Sequence, residues 1–209
     1  PAIEEIRVIA QVVKKRTLSL IRQIGDIHLN SNNISFPQGQ PVNFVAYNSN
    51  PAQESFAVYN RKGDLEYQFS REEFLENISE LRTDWTLAKF PYLTKLGFPA
   101  GIMLVGPLSR SFHNGSPLDD PELSEFDLVG FLKDRSALAL EYYDACRLLE
   151  IFWAAKRILE LLEKVDLKNM ETEVDLKASG QGIGVLEAPR GILMHHYLVN
   201  QGRIERMRL

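Results

Sequence analysis

The chain has 209 residues, 44% apolar and 25% charged, with a formal net charge of -4. That composition suits a globular protein with one sizeable core, and it lacks both the basic surface that nucleic acid requires and an apolar run long enough to cross a membrane. No nucleic-acid or membrane partner is therefore expected. The lone cysteine, Cys146, rules out an internal disulfide and the paired-cysteine sites of zinc or redox proteins. It fits a cytoplasmic location, as does the absence of a basic, then apolar, opening stretch, although the first residue is Pro1 and not Met.

Ile6, Ile9, Ala10, Val13, Leu20, Ile24 and Ile27 keep helical spacing, so an amphipathic helix is predicted over residues 3–27. Lys14, Lys15, Arg16 and Arg22 along it read as a solvated face in preference to a site for an anionic partner. Asn, Ser, Pro and Gly break the pattern over residues 30–40. Residues 42–47, 54–59 and 65–69 then read as strands, with turn chemistry at 60–64, so a small β-meander over 42–69 is expected as an appendage to a single domain, 1–209. Ser70 and Glu73 form a capping box, which predicts a helix from Arg71 to about Leu81. Residues 85–97, with their aromatics, Pro91 and Gly97, read as a packed, partly irregular segment of aromatic core. Residues 103–105 suggest a short buried strand, and 107–121 a polar loop carrying an exposed His113. Asp120 caps, and Pro121 opens, a helix to about residue 133.

Residues 136–165 are the strongest helix, free of Gly and Pro and about 45 Å long at 1.5 Å per residue. One apolar stripe runs through Ala145, Leu148, Phe152, Ala155, Leu159 and Leu162, and a second through Ile151, Ala154, Ile158 and Leu161. Such a helix should be covered from more than one side, with Cys146 as an inert core thiol. A polar linker, 168–177, leads into a glycine-rich stretch and a terminal hairpin of 192–199 with 203–209. The expected fold class is thus α-rich α+β, with a long central helix, a small antiparallel sheet and a C-terminal hairpin.

The functional signal is concentrated in residues 180–197. Gly180, Gly182 and Gly184 would let the backbone approach something closely, Pro189 stiffens the next residues, and Gly191 frees the turn behind Arg190, which is thereby presented on a rigid loop. A dinucleotide loop is a poor reading, because such a loop opens a helix and Glu187-Ala-Pro-Arg190 does not. A packing reading remains, in which Arg190 pairs with a nearby carboxylate and the glycines form a bulge. His195 and His196 are adjacent in a predicted strand and face opposite ways, so they cannot chelate one metal together.

The run Glu187-Ala-Pro-Arg-Gly-Ile-Leu-Met-His-His-Tyr197 resembles a segment of the large subunit of nickel-iron hydrogenases, and within that family the NAD-linked, bidirectional cytoplasmic branch. Trp85-Thr-Leu-Ala-Lys-Phe-Pro-Tyr-Leu-Thr-Lys-Leu-Gly97 and Val105-Gly-Pro-Leu-Ser-Arg110 are similar to two further family segments in the same order. The resemblance implies the large-subunit fold, with the long helix in a helical bundle, and a parent enzyme that oxidises dihydrogen reversibly and couples this to NAD reduction. It implies a nickel-iron centre with diatomic iron ligands in that parent, and as partners NAD-reducing diaphorase subunits together with a hydrogenase small subunit. Arg190 matches the arginine that hangs over the metals, where it can orient or polarise hydrogen, and Pro189 the proline that packs against the iron's ligands and keeps that arginine in register. Glu187, His195 and His196 match family positions too, and only structural support is expected of them.

The family's two paired-cysteine motifs, which bridge the metals, are absent, and so is the acidic residue beside the first. One cysteine cannot replace four thiolates. The resemblance therefore implies a middle-to-late piece of a large subunit that holds no cofactor and is inactive alone, with uncovered surface that favours self-association. Two alternatives share the fold: the quinone-reducing subunit of respiratory NADH dehydrogenase, and a cofactor-free interaction module. Lys89-Phe-Pro-Tyr92 and His195-His-Tyr197 favour the hydrogenase.

Overall fold

The computed structural model describes residues 2–28, 42–49, 54–113, 116–124, 126, 129–130, 132, 142–164 and 178–208. They fall into two compact units, one of residues 1–36 and 114–174, the other of residues 37–113 and 175–209. The expected 30–40 loop, the 168–177 linker and the first turn and a half of the long helix lie outside the described residues.

In the first unit, helix α1 (Ala2–His28) packs on helix α4 (Tyr142–Lys164), where helical periodicity predicts both. Glu4 and Glu5 in the first turn of α1, and Lys164 in the last turn of α4, complement the helix dipoles. The core between them takes Ala10, Thr17 and Ile21 from α1 and Tyr142, Ala145, Cys146, Leu149, Phe152 and Ala155 from α4. Thr17 satisfies its buried hydroxyl by donating to Val13 O at 2.8 Å. The second predicted stripe stays open among the described residues, with Ile151, Ile158 and Leu161 each more than 40% exposed. Lys14 also departs from the solvated face: its Nζ lies 2.7 Å from Glu122, while Lys156 Nζ reaches Asp120 at 2.9 Å and Glu122 at 3.1 Å. Asp120 Oδ1 accepts from Glu122 N at 2.9 Å, the bond a cap would make, although it closes a turn here. The predicted helix does not begin there, however: residues 121–124 are turns and Phe126 is irregular, and of the described residues up to 133 only Val129, Gly130 and Leu132 are helical.

The second unit is built from small sheets. Strands β1 (Asn43–Asn48), β2 (Ser55–Tyr59) and β3 (Leu65–Phe69) form the predicted meander, and β6 (Met103–Leu104) joins it parallel to β1, giving the order β3-β2-β1-β6. Val45, Tyr47, Phe56, Val58, Phe69, Ile78 and Leu93 make its core. The capping box also forms, with Ser70 N and Oγ donating to Glu73 Oε2 at 2.8 and 2.9 Å. It closes a turn and does not start a helix at Arg71: the one-turn helix α2 (Phe74–Asn77) begins three residues later with Glu73 at its N-cap, and the predicted remainder to Leu81 is instead strand β4 (Ile78–Thr83), paired with β5 (Thr86–Leu93). Ile78 and Leu93 stand opposite each other, both buried, and this cross-strand pair outweighs the local cap. Nor is the 85–97 segment aromatic core: Trp85 is 77% exposed and Leu87 fully so.

The glycine stretch is a strand. β7 (Gly180–Ala188), β8 (Gly191–Asn200) and β9 (Arg203–Arg208) form an antiparallel three-stranded sheet, one strand more than the expected terminal hairpin. The β7–β8 register runs unbroken from Gly180↔Val199 to Ala188↔Gly191, so no bulge forms. Gly182 and Gly184 face Tyr197 and His195, and no described atom lies within 4 Å of where their Cβ atoms would be. Close approach is not what these glycines serve within the described residues. Among the described residues the sheets are comparable in extent to the helices, so the fold there is mixed α and β where the sequence suggests an α-rich one.

Candidate functional site

Pro189 and Arg190 are the two-residue tip of the β7–β8 hairpin. Two-residue hairpins favour turns with positive φ, whose twist matches that of the strands. The β8–β9 turn conforms, with φ 48° at Gln201 and 77° at Gly202. The Pro189-Arg190 tip cannot, because the proline ring fixes a negative φ and Arg190 has no positive φ either.

The groups that hold the tip lie elsewhere in the sequence. Arg110 ends the short helix α3 (Pro107–Arg110), and its Nη1 donates to Glu187 Oε2 at 2.7 Å and to Ala188 O at 2.9 Å. Its Nη2 lies 3.5 Å from Pro189 O. Glu187 Oε1 in turn accepts from Tyr47 N, in β1, at 2.6 Å. The two side chains are only 14% and 13% exposed, so the ion pair is shielded, and removing one partner would leave a poorly solvated charge. Val105, from the same run as Arg110, sets the other boundary: a Cβ on Gly191 would lie 2.9 Å from Val105 Cγ2, which leaves room only for glycine.

Arg190 itself is exposed and makes no hydrogen bond or ion pair with the described residues. The carboxylate that the packing reading would give it belongs to Arg110. Two of the three sequence runs singled out for their resemblance, 105–110 and 187–197, thus meet at the base of one projecting arginine. The third contributes Leu93 to the core on which Val105 and Ile192 pack.

No family model matches the chain. Over 153 residues it is 30% identical to an iron-sulfur subunit of the F420-non-reducing hydrogenase of Archaeoglobus profundus, a match covering 68% of this chain and 31% of that protein. Over 140 residues it is 35% identical to the NAD-reducing hydrogenase HoxS subunit beta of Cupriavidus necator, covering 64% of this chain and 28% of that one. A crystal structure of an NAD+-reducing NiFe hydrogenase in the H2-reduced state matches 97% of the chain with a TM-score of 0.79 at 22% identity. The fold is that of a hydrogenase large subunit. A NiFeSe hydrogenase from Desulfovibrio vulgaris Hildenborough has it too, with a TM-score of 0.67 at 18% identity. The chain spans about a third of the length of these sequence relatives, and it covers 47% and 48% of the two solved chains.

His195 Nδ1 and Tyr197 OH share a hydrogen bond of 2.9 Å, two residues apart on one face of β8, while His196 takes the opposite face. His113 is not on an exposed loop: it is half-buried, its Nδ1 is 2.8 Å from Tyr59 OH, and burial pushes the imidazole below the usual histidine range, against a weaker pull upward from the Ala46 backbone. Among the described residues no three His, Cys, Asp or Glu side chains converge, and Cys146 is buried inside α4. These donors do not fit a thiolate-bridged bimetallic centre. A cavity of about 840 Å³ in the second unit is lined by Met103, Val105, Ile192 and Met194 with Arg82 and Arg208, and neither Pro189 nor Arg190 lines it.

Sequence reasoning missed Arg110. The signal was available: Glu187 lies in a strand bounded by apolar residues, where a carboxylate is seldom shielded without a cation, and Arg110 closes a run already singled out.

Proposed function

We propose that this chain is part of the large subunit of a nickel-iron hydrogenase of the NAD-linked branch, and that it contributes the Pro189-Arg190 tip beside the metal centre and no ligand to it. The observation that carries the reading is the meeting of runs 105–110 and 187–197 at one exposed guanidinium, unpaired among the described residues, on a braced hairpin. A guanidinium keeps its charge at every relevant pH and offers a rigid planar fork of donors, which suits a group that must act from a fixed place beside reacting atoms. Pro189 holds the tip in register, and Glu187, His195 and His196 support it. The substrate of the parent is dihydrogen, and its partners in the cytoplasm are the NAD-reducing diaphorase subunits together with the hydrogenase small subunit.

The branch assignment draws support from the NAD-reducing relative at 35% identity and from the NAD+-reducing structure, whose TM-score of 0.79 exceeds the 0.67 of the NiFeSe enzyme. In the same reading, α4 is the central helix of a larger bundle and the two compact units belong to one domain. The open stripe of Ile151, Ala154, Ile158 and Leu161, spaced three and four residues apart, suits further helices packing there.

Arg190→Lys in the assembled enzyme tests the reading, since an ammonium is a point charge without the fork. Hydrogen-dependent NAD reduction should fall by at least about a hundredfold, the usual effect of removing one preorganised group, while nickel content stays normal. Uptake within about threefold of wild type would overturn the role of Arg190, as small changes mark groups outside the reacting geometry.

A further inference from the structure

The Pro189-Arg190 tip has a backbone that its own residues do not favour in a two-residue hairpin, and its carbonyls point at a single guanidinium from a different part of the chain. We propose that Arg110 is a positioning residue, a clamp that sets the direction of Arg190 by gripping the hairpin at three acceptors: the Glu187 carboxylate, Ala188 O and Pro189 O. The inference builds on the function proposed for Arg190, since a clamp matters only if the tip has work to do.

Three features make the arrangement more than a stray ion pair. The pair is shielded, so it is held to its geometry more firmly than a surface bridge. Glu187 is itself fixed, because its second oxygen accepts from the backbone of β1 and so ties the clamp to the buried core of the sheet. Finally, the contacts run through the carbonyls on either side of the Ala188–Pro189 bond, so a shift of Arg110 bears directly on the residue before Arg190. A lysine could keep the charge pairing with Glu187 but could not reach the carbonyls at the same time, since only a planar fork spans several acceptors.

Amide hydrogen exchange on the full 209-residue chain reads this directly, over a peptide spanning residues 186–194. Arg110→Met should raise exchange at the tip at least about tenfold, as expected when charge-assisted hydrogen bonds are lost from a local opening unit. Residues 44–48 and 55–59 should keep their protection, and Arg110→Lys should fall between wild type and Arg110→Met. Because Arg110→Met strands the Glu187 charge, the double variant Arg110→Met/Glu187→Gln serves as a second arm. Its amide oxygen can still accept from Tyr47 N, so the tip should exchange fast while the melting temperature recovers. Tip exchange equal to wild type in both variants would overturn the clamp, and so would an equal rise across β1 and β2. The result is independent of the hydrogenase reading: fast tip exchange with full turnover in Arg190→Lys would keep the clamp and remove the function proposed for Arg190.

Discussion

His113 and Tyr59 share a hydrogen bond of 2.8 Å in a half-buried setting, and the cost of burying a charge there favours the neutral imidazole. On acidification the unfolded chain therefore binds this proton first. The contribution to stability is complete above about pH 6.5, the unfolded value, and is lost as the pH falls through the lower folded value. His113→Asn, whose amide can still meet the Tyr59 hydroxyl, should lose less stability than wild type between about pH 7 and 5, the range in which histidine titrates. Urea midpoints across that range would check it, and identical slopes for the two proteins would contradict it. Sequence alone placed this histidine on an exposed loop, because Asn114 and Gly115 beside it signal a turn whereas the contact to Tyr59 spans 54 residues. Arg110 escaped for the same reason, its partner Glu187 being 77 residues away. Gly191 was legible as a glycine with a purpose, although the purpose is the close approach of Val105 more than freedom of φ.

Among the elements, α4 offers the clearest contrast. Phe152 is fully buried against α1, with the Lys14 ammonium 5.4 Å from its ring centroid, whereas Ile158, on the open stripe, is 42% exposed. Phe152→Ala should cost about 3–5 kcal/mol and Ile158→Ala less than about 1 kcal/mol, read as shifts of the urea midpoint. Equal shifts would show that both stripes are covered in solution. Helical periodicity made α1 and α4 readable, and alternation did the same for β1 to β3, because in each the buried face is written in apolar side chains. Two elements were misread where that signal fails. In β4 the local capping box is real, yet the pairing of Ile78 with Leu93 lies beyond any short window. In β7 the period of two is there, but one face is written in Gly180, Gly182 and Gly184, so the strand looks like a loop.

At the scale of the molecule, the chain accounts for 47% of the solved NAD+-reducing hydrogenase chain whose fold it shares. It includes a projecting arginine and its clamp, but its described residues hold no convergent set of metal donors. The runs that carry the resemblance could be read from the sequence because each is a local string; that two of them converge on one hairpin could not, since convergence is a property of the fold. The central claim is that this chain supplies the arginine tip and none of the metal ligands. Its most direct test is the nickel and iron content of the folded 209-residue chain, purified without a histidine tag after expression with both metals supplied. The account predicts far less than one equivalent of either metal and no hydrogen uptake, whereas stoichiometric nickel would contradict it by showing that the chain holds a ligand set of its own.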